Sequence, residues 1–266
     1  MRYTVIENTD VRVSRISFGT GSLHHLFSGK RRRYLLETAA AAGISHFDTS
    51  PYYGYGLAES DIGAFMRGRR GRFTVTTKVG LYPYRGGVRS ATGVWVRKAA
   101  GKFFRRISAP EMDWCIRRAS NSLHASLKRL KTDYVDFLFL HEPDIALING
   151  EEFLRWLEAE RSKGKVRYFG LAGLPELLEP WLRSGHPLAQ VLQTKDDLCQ
   201  HCADFIIRTG RSLQFTYGYL SCLTLNSTPV SANVVISEAL LRNSKGSVLV
   251  STRNPKHLEE IAKLTW

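Results

Sequence analysis

The chain has 266 residues, 43% of them hydrophobic and 23% charged, and its 38 Lys and Arg against 24 Asp and Glu give a formal net charge of +14. This composition excludes a disordered or fibrous chain, and no run of 18 apolar residues is present to span a bilayer. Four cysteines, Cys115, Cys199, Cys202 and Cys222, are too few for a disulfide framework at this length, so reduced thiols are expected.

The opening stretch MRYTVIENTDVRVSRISFG lacks the basic head and unbroken apolar run of a signal peptide, so a cytoplasmic protein is expected. A hairpin is predicted from Tyr3 to Ile6 and from Val11 to Val13. Short β-rich runs then follow: RISFGT (15–20), SHFDTS (45–50), FTVTTKVG (73–80), DYVDFLFLH (133–141), KVRYFGLAG (165–173), AQVLQTK (189–195), RSLQFTY (211–217) and SVLVST (247–252). Between and after them lie helical patterns: KRRRYLLETAAAAG, AESDIGAFMRG, MDWCIRRASNSLHASLKRL, GEEFLRWLEAERSKG, LPELLEPWLRSG, CADFIIRTG, SANVVISEALLRNSKG and PKHLEEIAKL. Several of these open on a Ser, Asp or Pro signal and close at Gly. Eight strand and helix units in alternation imply parallel strands with right-handed crossovers, which close into an α/β barrel of the (β/α)8 TIM type over residues 1–266 as one domain. The competing open sheet needs G-x-G-x-x-G after its first strand, and Gly19, Gly21 and His24 supply only the first two glycines.

The positive charge is local. Between Asp61 and Glu111 no acidic residue occurs, while twelve Lys and Arg from Arg67 to Arg106 fall in that gap. Residues 81–110, LYPYRGGVRSATGVWVRKAAGKFFRRISAP, are longer than an ordinary strand-to-helix connection and would emerge after the third strand at the rim. Trp95, Ala99, Phe103 and Ile107 recur every four positions there with basic residues mostly elsewhere, which predicts a short basic amphipathic helix. The readings are a plain surface helix, a lid drawing acidic or phosphorylated substrates, or a membrane or partner contact. No nucleic-acid recognition motif accompanies the charge.

In such a barrel, polar residues at the carboxyl ends of strands converge on one mouth. Asp48 ends the second strand, Lys78 the third and His141 the fourth, and HFDTSPYYGYG places Tyr52, Tyr53 and Tyr55 just after Asp48. Each alone has a plainer reading: a solvated lysine, a rim histidine beside Glu142, an aspartate capping a turn before Thr49 and Ser50. Together they suggest an acid and base set. An ammonium beside a tyrosine should lower its pKa from about 10, so that the phenol can give a proton to a carbonyl oxygen and take it back in reverse. His141 would orient that carbonyl and stabilise charge developing on its oxygen. Chemistry alone leaves the choice among the three tyrosines open.

FDTSPYYGYGLAESDIG, TTKVG, SLHASLKRLKTDYVDFLFLHEPD, KGKVRYFGLAG, VLQTK, FTYGYL and VLVSTRNPKHLEE resemble, in order, the motifs of the aldo-keto reductase family, with DTSPYYGYGLAE most like its bacterial aldose and pyridoxal dehydrogenase branch. The resemblance implies hydride transfer between a nicotinamide cofactor and a small-molecule carbonyl or alcohol: an aldehyde, a ketone or a sugar. It assigns the acid to Tyr53, with Asp48, Lys78 and His141 as partners. It also sets the nicotinamide amide near Gln193 and its ring on Tyr217. Ser251, Thr252 and Arg253 come before a helix whose N-terminus can receive a phosphate, and pairing of Arg253 with a 2′-phosphate favours NADP(H) over NAD(H).

The chain departs from the family's pattern at three places. Ala172 and Gly173 stand where a Ser-Asn pair usually holds the carboxamide, Glu260-Ile261 replaces Glu-Asn at the adenine, and no extended C-terminal loop follows before Trp266. These losses motivate the rival reading, a barrel that binds a ligand or partner without turnover. The basic rim suggests an anionic substrate. CQHC (199–202) has metal-like spacing, but one pair without a second makes packed thiols at a helix start the expectation, with no metal.

Overall fold

The computed structural model describes residues 1–83, 110–224 and 231–265. Strands β1 (Tyr3–Val5) and β2 (Arg12–Ser14) pair antiparallel with Tyr3 opposite Ser14, which is the predicted hairpin. Eight further strands close a parallel barrel: β3 (Ile16–Gly19), β4 (His46–Asp48), β5 (Thr74–Val79), β8 (Val135–His141), β9 (Val166–Gly173), β10 (Leu192–Lys195), β11 (Phe215–Tyr217) and β12 (Ser247–Val250), with β12 returning to β3. Two short strands, β6 (Leu81–Pro83) and β7 (Pro110–Met112), pair antiparallel outside it. The closed barrel is therefore present and the open sheet is not.

The two sides of each strand explain the closure. In VDFLFLH, Phe137 and Phe139 join Phe215, Val191 and Leu249 in the barrel interior, while Leu138 and Leu140 belong to the outer cluster that the helices cover. This is the period-2 alternation of a strand buried on both faces. Ile6, Val11 and Val13 pack into the same interior cluster from the hairpin.

Helices α1 (Gly29–Ala41), α2 (Leu57–Phe65), α3 (Ile116–Leu130), α4 (Gly150–Ser162), α5 (Pro175–Arg183), α6 (Asp204–Ile207), α7 (Ala232–Arg242) and α8 (Pro255–Lys263) lie between and after the strands. Their starts follow the sequence signals: Asn149 accepts from Glu152 N at 3.2 Å, Ser231 from Val234 N at 3.3 Å and Asn254 from Lys256 N at 3.1 Å. The CADFIIRTG pattern forms only the single turn α6. Gly210 at φ 79° ends the stretch, and Thr209 turns its hydroxyl back to Ile206 O at 2.7 Å.

Pairing of Leu81 with Met112 and of Pro83 with Pro110 brings the two ends of the long basic segment side by side. The interior of that segment, with Trp95, Ala99, Phe103 and Ile107, lies outside the described residues.

Candidate active site

Strand register brings the polar residues together. Asp48 pairs with Gly19 and Thr76, Lys78 with Phe139, His141 with Ala172, and Gln193 with Ala172 and Phe215, all at or near the carboxyl ends of their strands. Lys78 Nζ donates to Asp48 Oδ1 at 2.6 Å, to Thr49 O at 3.1 Å and to Tyr53 OH at 3.4 Å, and also lies 4.9 Å from the centre of the Tyr53 ring. Gln193 Nε2 donates to the same Asp48 oxygen at 3.1 Å. The ring of His141 meets that of Tyr53 edge to face, centroids 6.0 Å apart. Of the three tyrosines, Tyr53 alone has the Lys78 ammonium on its phenol oxygen among the described hydrogen bonds. Tyr55 instead is buried against Leu57 and Tyr52.

The turn Tyr53–Gly56 aims that phenol. Gly54, Tyr55 and Gly56 have φ of 59°, 56° and 90°, three successive left-handed residues. Gly54 is needed for space as well, since a Cβ there would stand 2.5 Å from His24 Cβ, while one on Gly56 would make a tight 3.0 Å contact with the Arg129 side chain. Fully buried Glu59 fixes the helix that follows, accepting from Thr77 Oγ1 and from Arg129 Nε, each at 2.6 Å. Neither Glu59 nor Arg129 is legible as a site residue in the sequence, because their partners lie 18 and 70 positions away.

Burial dominates the electrostatics. Desolvation raises Asp48 and lowers Lys78, each opposed by the charge of the other, so the two hold one another ionised only as a pair. The Tyr53 phenol rises well above its ordinary value through burial first, then through Asp48 and Glu142. This reverses the expectation that Lys78 would lower it. The ammonium sits closer to the Asp48 carboxylate, which cancels much of its field, and a buried phenolate is costly. His141 is held well below 6.5 by burial and by Lys78, so its imidazole is neutral, and its Nδ1 has no partner among the described residues.

Above these groups opens a cavity of about 440 Å³ lined by the four residues just described, by Glu142, Gln193 and Tyr217, and by Ser251. A second cavity of about 250 Å³ shares Leu220, Val250 and Ser251 with it and continues past Thr252 to the start of α8. The predicted cofactor residues Gln193, Tyr217, Ser251 and Thr252 thus line one or other of these two adjoining cavities, whereas Arg253 is exposed and lines neither. Ser251 bonds Ser22 at 2.8 Å and Thr252 Oγ1 accepts from Asn254 N at 3.1 Å. Gln193, though buried, leaves Oε1 without a partner among the described residues. Sequence reading did not single out Glu142 for the site, although it follows His141 directly.

The cysteines differ from expectation. Cys199 is exposed, and Cys202 precedes α6 with Sγ donating to Asp197 Oδ2 at 3.0 Å; burial and that carboxylate push its thiol up to about 11. Among the described residues no cluster of three or more His, Cys, Asp or Glu could hold a metal ion, and no helix is long and apolar enough to cross a membrane.

A sequence model of the Aldo/keto reductase family matches residues 15–177. L-galactose dehydrogenase of Arabidopsis thaliana is 29% identical over 176 residues, covering 63% of this chain and 47% of that protein. D-threo-aldose 1-dehydrogenase of a Pseudomonas species is 30% identical over 171 residues, covering 61% and 50% respectively. The chain thus spans about half the length of these curated relatives in its matches. Among solved structures, an aldo-keto reductase from Bacillus halodurans in its holo form superposes with a TM-score of 0.78 at 18% identity, covering 99% of this chain and 90% of that one.

Proposed function

The chain belongs to the aldo/keto reductase family, and from that premise we propose that it transfers hydride between a nicotinamide dinucleotide and a carbonyl or alcohol carbon, with Tyr53 as the proton donor and acceptor. One observation carries the reading: Lys78 Nζ joins Asp48 Oδ1 and Tyr53 OH at the floor of a cavity that a neutral His141 also lines.

The residues present fit a dinucleotide. Two cavities adjoin at Leu220, Val250 and Ser251, the unsatisfied Gln193 Oε1 is an acceptor that the amide of a nicotinamide would satisfy, and Tyr217 offers an aromatic face. Ser251, Thr252 and the N-terminus of α8 would hold phosphate, and Arg253 would distinguish NADP(H) from NAD(H) by pairing with a 2′-phosphate. When bound, the cofactor supplies or accepts the hydride.

The chain's own residues handle the proton. In reduction, the Tyr53 phenol donates its proton to the carbonyl oxygen as negative charge develops there, leaving the phenolate; in oxidation, the reverse step, that phenolate takes the proton of the alcohol and returns to the phenol. Its raised pKa keeps it protonated at neutral pH, the form that reduction requires. The Lys78 ammonium, 3.4 Å from the phenol oxygen, stabilises the transient phenolate, and Asp48 with Thr49 O keeps that ammonium in place. Neutral His141 has one ring N–H to offer the carbonyl oxygen without adding a second cation beside Lys78. The names of the relatives, two of them sugar dehydrogenases, make aldoses the first carbonyl compounds to test.

Tyr53→Phe is the test. It should cut turnover of an aldehyde by about 100-fold or more while NADPH and NADH still quench tryptophan fluorescence with wild-type affinities, NADPH binding more tightly. A Tyr53→Phe protein with more than a tenth of wild-type turnover would remove Tyr53 from the mechanism.

A further inference from the structure

Glu142 stands out among the residues of the mouth. In a regular strand the residue after an inward-facing His141 would point outward. Glu142 instead adopts φ 55°, a left-handed conformation that residues other than glycine adopt at a cost, and lines the same cavity as His141. Its backbone N–H donates to Ala172 O at 2.7 Å, and its Oε2 accepts from Leu174 N at 3.1 Å. The side chain lies over Gly173, where a Cβ would come within 3.0 Å of Oε2. A side chain at 173 would press on the carboxylate in this position.

The charge balance of the lining is then simple. Its charged residues are Asp48, Lys78 and Glu142, and the first two are ion-paired at 2.6 Å. Glu142 has no ion-pair partner among the described residues, and its Oε1 has no hydrogen bond there. Its field reaches the working groups, acting on Tyr53, Tyr217 and Lys78, and exposed Glu176 adds to the same side of the rim. When ionised, Glu142 is therefore the one charged group of the described lining without an ion-pair partner, although burial raises its carboxyl above the ordinary value. Among the described lining residues no unpaired cation faces it.

We propose that Glu142 determines the substrate class: it accepts hydrogen bonds from the hydroxyl groups of a neutral, polyhydroxylated carbonyl compound and repels anionic ones such as sugar phosphates and oxo acids. This rests on the reading of the cavity as the substrate site. It differs from the anionic substrate suggested by the basic segment 81–110, whose Lys and Arg all fall outside the described residues. A hydroxyl donating to a carboxylate makes a strong, charge-assisted bond, whereas an anion in the same place meets a like charge in a partly desolvated pocket.

The test compares D-glyceraldehyde with D-glyceraldehyde 3-phosphate as substrates. In parallel, calorimetry measures binding of glycerol and glycerol 3-phosphate, which needs no hydride transfer. Both are done on wild type, Glu142→Gln and Glu142→Asp, with NADPH affinity followed by fluorescence. We expect wild type to favour the neutral member of each pair by about tenfold or more, Glu142→Gln to lose most of that preference through KM, and Glu142→Asp to keep it. Equal use of both members by wild type, or an unchanged ratio in Glu142→Gln, would overturn the proposal. Weakened NADPH binding in Glu142→Gln with an unchanged substrate ratio would also overturn it, by setting the carboxylate against the cofactor. If neither aldehyde turns over yet the binding preference persists and falls in Glu142→Gln, the charge selection stands and the reductase reading falls.

Discussion

Lys78→Met isolates the buried pair at the centre of the proposed site. Lys78 and Asp48 are 2% and 3% exposed, and in the variant the Asp48 carboxylate would keep, among the described residues, only the Gln193 Nε2 donor at 3.1 Å. Removing one member of a buried ion pair typically costs about 3–5 kcal/mol, because the remaining charge is left without its counter-ion. A domain stable by about 5–15 kcal/mol would lose about a fifth or more of its margin, or roughly 6–20 °C in Tm for a chain of this length. The pH dependence has a definite sign. Burial already raises the folded Asp48 above its ordinary value, and Lys78 is the chief group opposing that rise. Without the lysine the folded pKa climbs further, so the native state holds a proton that the unfolded chain has released. Stability then falls as pH rises from the unfolded carboxylate value through the folded one, and the deficit against wild type is smallest in acid and largest at neutral pH. The assay is urea unfolding at several pH values with wild type, Lys78→Met, and Asp48→Asn combined with Lys78→Met. The double variant should recover most of the loss at neutral pH, since neither charge remains. A Lys78→Met protein within about 1 kcal/mol of wild type at pH 7, or a double variant no more stable than the single one, would refute the account of the pair.

Two further outcomes follow from the shell around Tyr53. Arg129→Ala should destabilise the protein by about 3 kcal/mol in urea unfolding, because it strands fully buried Glu59, and should lower turnover as the Tyr53–Gly56 turn loosens; Arg129→Lys should recover part of both, and a variant as stable as wild type would remove the clamp. His141, held well below 6.5 by burial and Lys78, should leave kcat for a neutral aldehyde without an inflexion near 6.5 in a pH profile, and an inflexion there that disappears in His141→Gln would show that the imidazole titrates.

The barrel is legible in the sequence because β-rich runs and helical patterns alternate eight times, several of the helices opening on a cap signal and closing at a glycine. Asp48, Lys78 and His141 are legible because parallel closure sends every strand end to one rim, which turns position in the chain into position in space. What the sequence does not carry is the direction of a side chain where the backbone leaves regular geometry. The three left-handed residues of YGYG and the clamp of Glu59 by Arg129 depend on contacts between distant segments. The same holds for the Tyr53 pKa. Proximity to Lys78 is readable from strand ends, but burial, and the closer claim of Asp48 on that lysine, are not.

Glu142 shows the limit most clearly. Strand alternation assigns it to the outside of the barrel, and a sequence rich in Lys and Arg assigns the mouth a positive field. One backbone angle reverses the first, and it sets a carboxylate among the described lining residues where the second expects cations. The left-handed turn at 142 and the glycine at 173 meet in one contact, since a Cβ at 173 would stand 3.0 Å from the carboxylate and press on it. The glycine that reads in the sequence as a lost cofactor contact therefore also reads, in the structure, as room made for an acid. Net charge summed over 266 residues says little about a cavity whose described lining contains three charged side chains, two of them paired. The field that a substrate meets is set by the nearest uncompensated group, because charges beyond about 8–10 Å are screened by solvent while a half-buried one at the rim is not.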